Sequence, residues 1–468
     1  MARTRTRFPT ELLVELRKDD PLPLHRQLEH ELRGAIRGGR LQPETPLPST
    51  RVLAEQLDLS RGVVVEAYEQ LVAEGYLTSV PGGATRVATR AAVGAPERRT
   101  TDEATSFRIN FAYGRPDVTL FPRQIWLRSL RRVLIEAPSD RLTYLDRRGA
   151  PELREALAAY LNRVRGTAAE PADVIICNGF AQAIDLVTQL VKARGGRRIG
   201  VEEPGDADGR TAIRRHGLET VPLPVDDGGI SIEALRRSDA DAVFLTPAHH
   251  YPTGAVMAPD RRADLLAWAD EHDALILEDD YDAEYRYDRE PIGAIHGLAP
   301  ERVIYAGSAS KTLAPGLRLG WMVVPHTLVG DLAAIKEAND RGSASLDQLA
   351  FADFLTKGEF DRHLRRMRPL YRERRDALLD ALRRHLPDMA TVGASAGLHV
   401  LAMLPAGVDE AAVIDASAAS GVKVTGLRHT YHHPERAPGG LILGYGQVST
   451  SDIDAGVRLV AKAVDALR

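Results

Sequence analysis

The stretch SASKTLAPGLRLGW, residues 308–321, sets two hydroxyls, a lysine and an arginine around a Pro-Gly turn. Ser308, Ser310 and Arg318 suit a phosphate monoester, because a guanidinium fork and short hydroxyl donors match its oxygens. Lys311 beside them suits a Schiff base with an aldehyde, the covalent chemistry open to a positioned lysine amine. Around this stretch run DVIICNG, RRIGVEEPG, DAVFLTP, ALILEDD, RVIYAGS and LGWMVVP, compact apolar segments that end in polar, Gly or Pro residues. Separated by helical patterns, such segments predict strands buried on both faces of a mostly parallel sheet. Ligands of such sheets gather at the carboxyl ends of the strands. The chemically suggestive residues fall at those ends: Gly179, Pro247, Asp279, Ser308 and then Lys311.

Two further segments fill out the ligand. NGFAQAIDLV passes from strand to helix, so the backbone N–H groups of Gly179, Phe180 and Ala181 would face a phosphate at a helix N-terminus. One glycine there, taken alone, also fits a plain turn. LILEDDYDAEYRY places Asp279 to pair with a protonated ring nitrogen and Tyr281 to hydrogen-bond a phenolic oxygen, although a solvated acidic loop has the same composition. Phosphate, ring nitrogen, phenol and aldehyde together describe pyridoxal 5′-phosphate. No metal site is expected.

The N-terminal part reads differently. PLHRQLEHELRGAIRGG spaces Leu24, Leu28, Leu32 and Ile36 four apart, an apolar helix face ended by Gly38-Gly39. PSTRVLAEQL opens a second helix with Ser49 as N-cap, and Ser60 is expected to cap a third, RGVVVEAYEQLVAEG. Val64, Ala67, Tyr68 and Leu71 would face inward on it, with Arg61, Gly62 and Val65 outward. YLTSV and TRVA around Pro81-Gly82-Gly83 predict a hairpin. Helices, tight turn and hairpin make a winged helix-turn-helix, whose second reading helix enters a major groove by its N-terminal residues. Arg61 can fork onto a guanine and Arg51 can grip phosphate.

Bulk properties bound these readings. The chain has 468 residues, enough for two or three domains, with 44% hydrophobic and 27% charged residues, as in globular proteins. The net charge of -4 gives no global nucleic-acid signal, so DNA binding must rest on a few placed arginines. A single cysteine, Cys177, excludes an intramolecular disulfide and fits a reducing cytoplasm. The Arg-rich start has no long apolar run and reads as neither secretory signal nor membrane anchor. The organisation expected is a DNA-binding domain over 1–88, a polar linker over 89–108 and a large domain over 109–468.

Both halves resemble known families. Residues 22–88, with LPSTRVLAEQLDLSRGVVVEAYEQLVAEGYL, resemble a GntR-type DNA-binding domain, which implies DNA contacts at Arg51, Ser60, Arg61 and Gly62. Residues 109–468 resemble a fold-type I aminotransferase, an α/β fold with a mostly parallel large-domain sheet and an α+β small domain. The combination, with TPAHHYPTG, EDDYDAEYRYD and SKTLAPGLRLGW, resembles the MocR regulators. The resemblance implies pyridoxal 5′-phosphate as cofactor, Lys311 as aldimine lysine, Asp279 as pyridine partner and Tyr281 as phenolate partner. It further implies a homodimer, with Tyr144 reaching the phosphate of the neighbouring subunit and Arg428 gripping an effector carboxylate. Tyr251 stands where relatives carry an asparagine, and Asp206 where they commonly carry an aromatic over the ring. The expected function is a cytoplasmic transcriptional regulator binding double-stranded DNA and sensing pyridoxal 5′-phosphate or an amine. The alternative is a working aminotransferase with an accessory DNA-binding head.

Overall fold

The computed structural model of the chain describes residues 5–7, 13–79, 84–89, 107–144, 146–282, 284–287 and 292–468. It divides into two compact units, Met1–Thr105 and Ser106–Arg468. The expected linker falls almost wholly outside the described residues, as does the turn Pro81-Gly82-Gly83.

In the first unit three helices, Leu24–Arg37, Thr50–Leu57 and Arg61–Ala73, pack around one apolar core. The period-four stripe of the first helix buries Leu28, Leu32 and Ile36, with Leu24 half-buried at its start. Ser49 caps the second helix, its hydroxyl accepting from Val52 N–H at 3.4 Å, and Asp58 ends it in the left-handed region at φ 54°. The third helix buries Val64, Ala67, Tyr68 and Leu71, leaving Arg61 and Gly62 exposed. Tyr68 ties it to the turn before the second helix by donating to Pro48 O at 3.0 Å. One local expectation fails: Ser60 stands at the N-cap position, but its hydroxyl makes no capping bond. Its carbonyl takes the Val63 N–H instead, at 3.2 Å. Strands Leu77–Thr78 and Arg86–Val87 pair antiparallel as the hairpin of the wing.

In the second unit the six quoted apolar runs all form strands of one eight-stranded sheet. Its order is Val174–Cys177, Gly320–Val323, Val303–Ser308, Leu275–Asp280, Ala242–Leu245, Arg198–Glu203, Glu219–Asp226 and Gly229–Ile230. Pairing is parallel across the middle, with Gly320–Val323 antiparallel to both its neighbours and Gly229–Ile230 antiparallel at the edge. A second, four-stranded antiparallel sheet holds Thr391–Val392, His399–Met403, Gly440–Gly444 and Thr425–Gly426. This is the large-domain and small-domain arrangement expected.

The period of two along each strand decides where chemistry can appear. Leu275 and Leu277 enter the apolar layer under helix Phe180–Ala193, while Ile276 enters the layer on the opposite face. The next residue in the Leu275, Leu277 series is Asp279. Ile304 and Ala306 likewise lead to Ser308, and Ala242 and Phe244 to Thr246. Three strands in register thus deliver a carboxylate and two hydroxyls to one face at one end of the sheet. The opposite series delivers Asp280, whose buried carboxylate meets Arg165 Nε at 2.5 Å and the Tyr305 hydroxyl at 2.7 Å.

Candidate functional site

At that end lies a cleft of about 670 Å³. It brings together Phe180, Ala181, Asp279, Tyr281, Ser308, Ser310, Lys311 and Arg318, eight of the residues singled out from the sequence. Gly179 stands at its edge with φ 84°, and a Cβ there would come within 3.0 Å of the Arg318 guanidinium. Only glycine permits both that backbone turn and that approach. Arg318 itself adopts φ 53° and donates from Nη2 to Asn178 O, so its fork is held beside the N-terminus of helix Phe180–Ala193. A helix N-terminus, a guanidinium and two serine hydroxyls form an anion cradle.

Lys311 Nζ donates to Gly114 O at 2.9 Å and lies 5.5 Å from the centre of the Tyr113 ring. Burial depresses its pKa below the ordinary lysine value, against the opposing pull of Asp282, Asp279 and Asp206. A depressed lysine has more of its amine neutral, the form that attacks a carbonyl. Asp279 is 8% exposed, and its Oδ1 is buried with no hydrogen-bond partner. Burial, with Asp206 and Asp280 nearby, pushes its carboxyl well above the usual range. Such a carboxylate calls for a cationic donor in the cleft, and a protonated ring nitrogen is one. The donor set therefore fits pyridoxal 5′-phosphate: a cradle for phosphate, an open acceptor for the ring nitrogen, a phenol and an amine.

Two expected residues, Tyr144 and Arg428, lie elsewhere, while Asp206 and Tyr251 join the lining of the cleft. Tyr144 is 87% exposed and does not line the cleft. Arg428 also stays off its lining: its Nη1 donates to Asp409 at 3.4 Å, and its backbone N–H turns to Glu410. Lys423, Thr425 and His429 from the same segment do line it. Asp206 serves as N-cap of helix Ala207–Arg215, accepting from Asp208 and Gly209 N–H at 3.1 and 2.9 Å. Tyr251 stacks on Tyr113 with ring centres 4.3 Å apart. Tyr113 is a cleft residue outside every quoted motif, and Thr246 opens TPAHHYPTG without having been given a role; sequence reasoning missed both.

Behind the cleft, Glu202 accepts from Thr246 N–H and Oγ1 at 3.0 and 2.6 Å, and burial pushes its carboxyl up to about 8. Because the folded value lies above the unfolded one, the folded state binds the extra proton between them. Stability from this group is present at low pH and is lost as pH rises through the window up to about 8. Urea unfolding at pH 5.5 and pH 8 is expected to show a smaller loss on raising pH in Glu202→Gln than in the unsubstituted chain.

Known proteins agree with this geometry. Residues 24–87 match the bacterial regulatory proteins of the gntR family, and residues 108–436 match aminotransferase class I and II. The chain is 36% identical to the probable rhizopine catabolism regulatory protein MocR of Rhizobium meliloti, over 97% of this chain and 96% of that protein. This chain belongs to the MocR-type transcriptional regulators. Among MocR-type relatives it is also 32% identical to the pyridoxine biosynthesis regulator PdxR of Corynebacterium glutamicum, covering 93% and 95% of the two chains. The solved kynurenine aminotransferase of Pyrococcus horikoshii superposes with a TM-score of 0.71 at 27% identity, covering 78% of this chain and 92% of that one. The aminotransferase class I and II fold family depends on pyridoxal 5′-phosphate. Like other MocR-type chains, this one joins a DNA-binding helix-turn-helix to an aminotransferase-like domain. Among the described residues no helix is long and apolar enough to cross a membrane, and no cluster of side chains suits a metal ion.

Proposed function

We propose that this MocR-type regulator holds pyridoxal 5′-phosphate at Lys311 and converts the state of that site into a change of operator binding. The supporting observation is the convergence, in one cleft, of the open Asp279 acceptor, the Lys311 amine and the Arg318 cradle. Ser308, Ser310, Arg318 and the N–H groups of Gly179, Phe180 and Ala181 would take the phosphate, Asp279 the ring nitrogen and Tyr281 the phenolic oxygen. When bound, the cofactor supplies an aldehyde that reacts with amines. Lys311 offers the amine that competes with an incoming one, so the cleft can register the cofactor itself or an amino compound. For Arg428 to grip an effector carboxylate, that carboxylate would replace Asp409 as its partner.

The operator reader is the helix Arg61–Ala73 with Ser60, Arg61 and Gly62, and Arg51 grips the backbone. We assign residues 1–88 to this reader, 89–108 to a linker and 109–468 to the sensor. The working unit is a homodimer in the cytoplasm, where operators are found. Leu127, Leu134 and Ile135 on the helix Arg123–Glu136, and Leu142 after it, are all more than half exposed, apolar side chains that a second copy would cover.

The intact Lys311 and Asp279 also favour a second reading, turnover as an aminotransferase. Operator gel shifts run beside a multiple-turnover transamination assay separate the two. Cofactor-dependent operator binding without sustained turnover is expected. Rapid turnover without DNA binding would overturn the regulator reading.

A further inference from the structure

Behind Tyr281 runs a buried chain of polar groups that the cofactor site does not use directly. The Tyr281 hydroxyl lies 3.1 Å from His249 Nδ1. The same nitrogen lies 3.0 and 3.1 Å from the two carboxylate oxygens of Asp282. The His249 and Asp282 side chains are each 2% exposed. Gly397, at φ 78°, closes the pair from the small-domain side, and a Cβ there would meet His249 Cε1 at 2.3 Å and Asp282 Oδ2 at 2.5 Å. The ionisable groups facing the pair are Tyr281, Asp279, Lys311, Tyr113 and Tyr251 on the cleft side, His250 and His399 beside His249, and Glu284, Tyr287 and Tyr445 about Asp282.

Hydrogen-bond logic fixes the proton positions. An ionised carboxylate only accepts, so a ring nitrogen lying against both its oxygens must carry the hydrogen. His249 then carries a hydrogen on Nδ1, and because Nε2 is buried without a partner, a second N–H there would be an unsatisfied buried donor; the Nδ1–H tautomer leaves only a lone pair at that place. A nitrogen that carries hydrogen cannot accept from Tyr281. The tyrosine oxygen can only receive from it, and the tyrosine's own proton must point elsewhere. Tyr281 lines the cleft, so the free direction is toward the ligand.

We propose that Asp282 and His249 are positioning residues that lock the His249 tautomer and thereby turn the Tyr281 hydroxyl proton into the cleft as a donor to an acceptor oxygen on the ligand. Without Asp282, His249 is free to become the Nε2–H tautomer and to draw the Tyr281 proton away from the cleft. The consequence for bound pyridoxal 5′-phosphate rests on the reading of the cleft given above, whereas the tautomer does not.

Two arms test this on the full-length chain. In ¹⁵N-histidine-labelled protein without cofactor, with His249 assigned by its loss in His249→Phe, Nδ1 should be protonated and Nε2 not. A protonated Nε2 would overturn the proposal. In the second arm the visible band of added pyridoxal 5′-phosphate is titrated with pH in four proteins: unsubstituted, Asp282→Ala, Tyr281→Phe and the double variant. Loss of the Asp282 charge near Lys311 lowers the midpoint whether or not Tyr281 is present. Loss of the donated proton raises it only where Tyr281 is present. Measured from each parent, Asp282→Ala should therefore shift the midpoint about one pH unit further upward in the Tyr281 protein than in the Tyr281→Phe protein. Equal shifts in the two backgrounds would overturn the proposal. If Asp282→Ala does not fold, Asp282→Asn with and without Tyr281→Phe gives the same comparison, because the amide removes the charge and no longer forces the hydrogen onto His249 Nδ1. Absence of any visible band in the unsubstituted protein would sink the cofactor reading, and the labelled histidine would still decide the tautomer.

Discussion

Lys311→Ala is expected to abolish the visible absorbance that the unsubstituted chain acquires with pyridoxal 5′-phosphate, while leaving the fold in place. The amine lines the cleft and its charge acts on the open Asp279 acceptor, while the other lysine of the lining, Lys423, comes from the small-domain segment. It is held by Gly114 O, and burial keeps its pKa below the ordinary value, so its reactive form is enriched near neutrality. Alanine removes its hydrogen bond to Gly114 O and its approach to the Tyr113 ring, and deletes no part of the apolar layers under the sheet. The cost in stability should thus stay within about 1 kcal/mol, as for substitutions outside a core. Far-UV circular dichroism and urea unfolding check that half of the expectation, and an absorbance spectrum checks the other. A Lys311→Ala protein with the same band as the parent would remove Lys311 from the site.

Arg61→Ala is expected to weaken operator binding by about 1–3 kcal/mol, the worth of one bidentate base contact, and to relax discrimination at one base pair. Arg61 is the first residue of the third helix and is exposed, while the face behind it packs Val64, Ala67, Tyr68 and Leu71 into the core. The fold of the reader should accordingly survive the change. Titrations on operator and on random DNA at one salt concentration separate base reading from phosphate gripping. A loss confined to the operator supports the base contact, and an equal loss on both assigns Arg61 to phosphate.

The strand ends were legible because two periodicities coincide. Runs such as ALILEDD and RVIYAGS are apolar on both faces until they leave the sheet, so the first polar residue marks both the strand end and the ligand face. Ser308 follows from that rule; in ALILEDD the first polar residue is Glu278, and the period of two shared with Leu275 and Leu277 selects Asp279, and the six strands formed where expected. The helix stripes of the reader were legible for the same reason, since Leu28, Leu32 and Ile36 are neighbours on one face. What escaped depends on contacts distant in sequence. Tyr113 reaches the cleft from a segment with no motif, and its stacking partner Tyr251 lies on another loop. The Tyr281, His249 and Asp282 chain joins two loops more than thirty residues apart, and only their packing shows which nitrogen faces which oxygen. Ser60 misled because capping propensity does not decide whether the hydroxyl turns to its own helix. The role of Arg428 came from the resemblance, and its contacts with Asp409 and Glu410 could not be read from the sequence.

The measurement closest to the central claim is operator affinity at fixed salt, with and without pyridoxal 5′-phosphate, for the unsubstituted chain and for Lys311→Ala. The cofactor should change the affinity of the first and leave that of the second unaltered. A cofactor response of equal size in both, or none in the unsubstituted chain despite a visible band, would contradict coupling between Lys311 and the DNA reader.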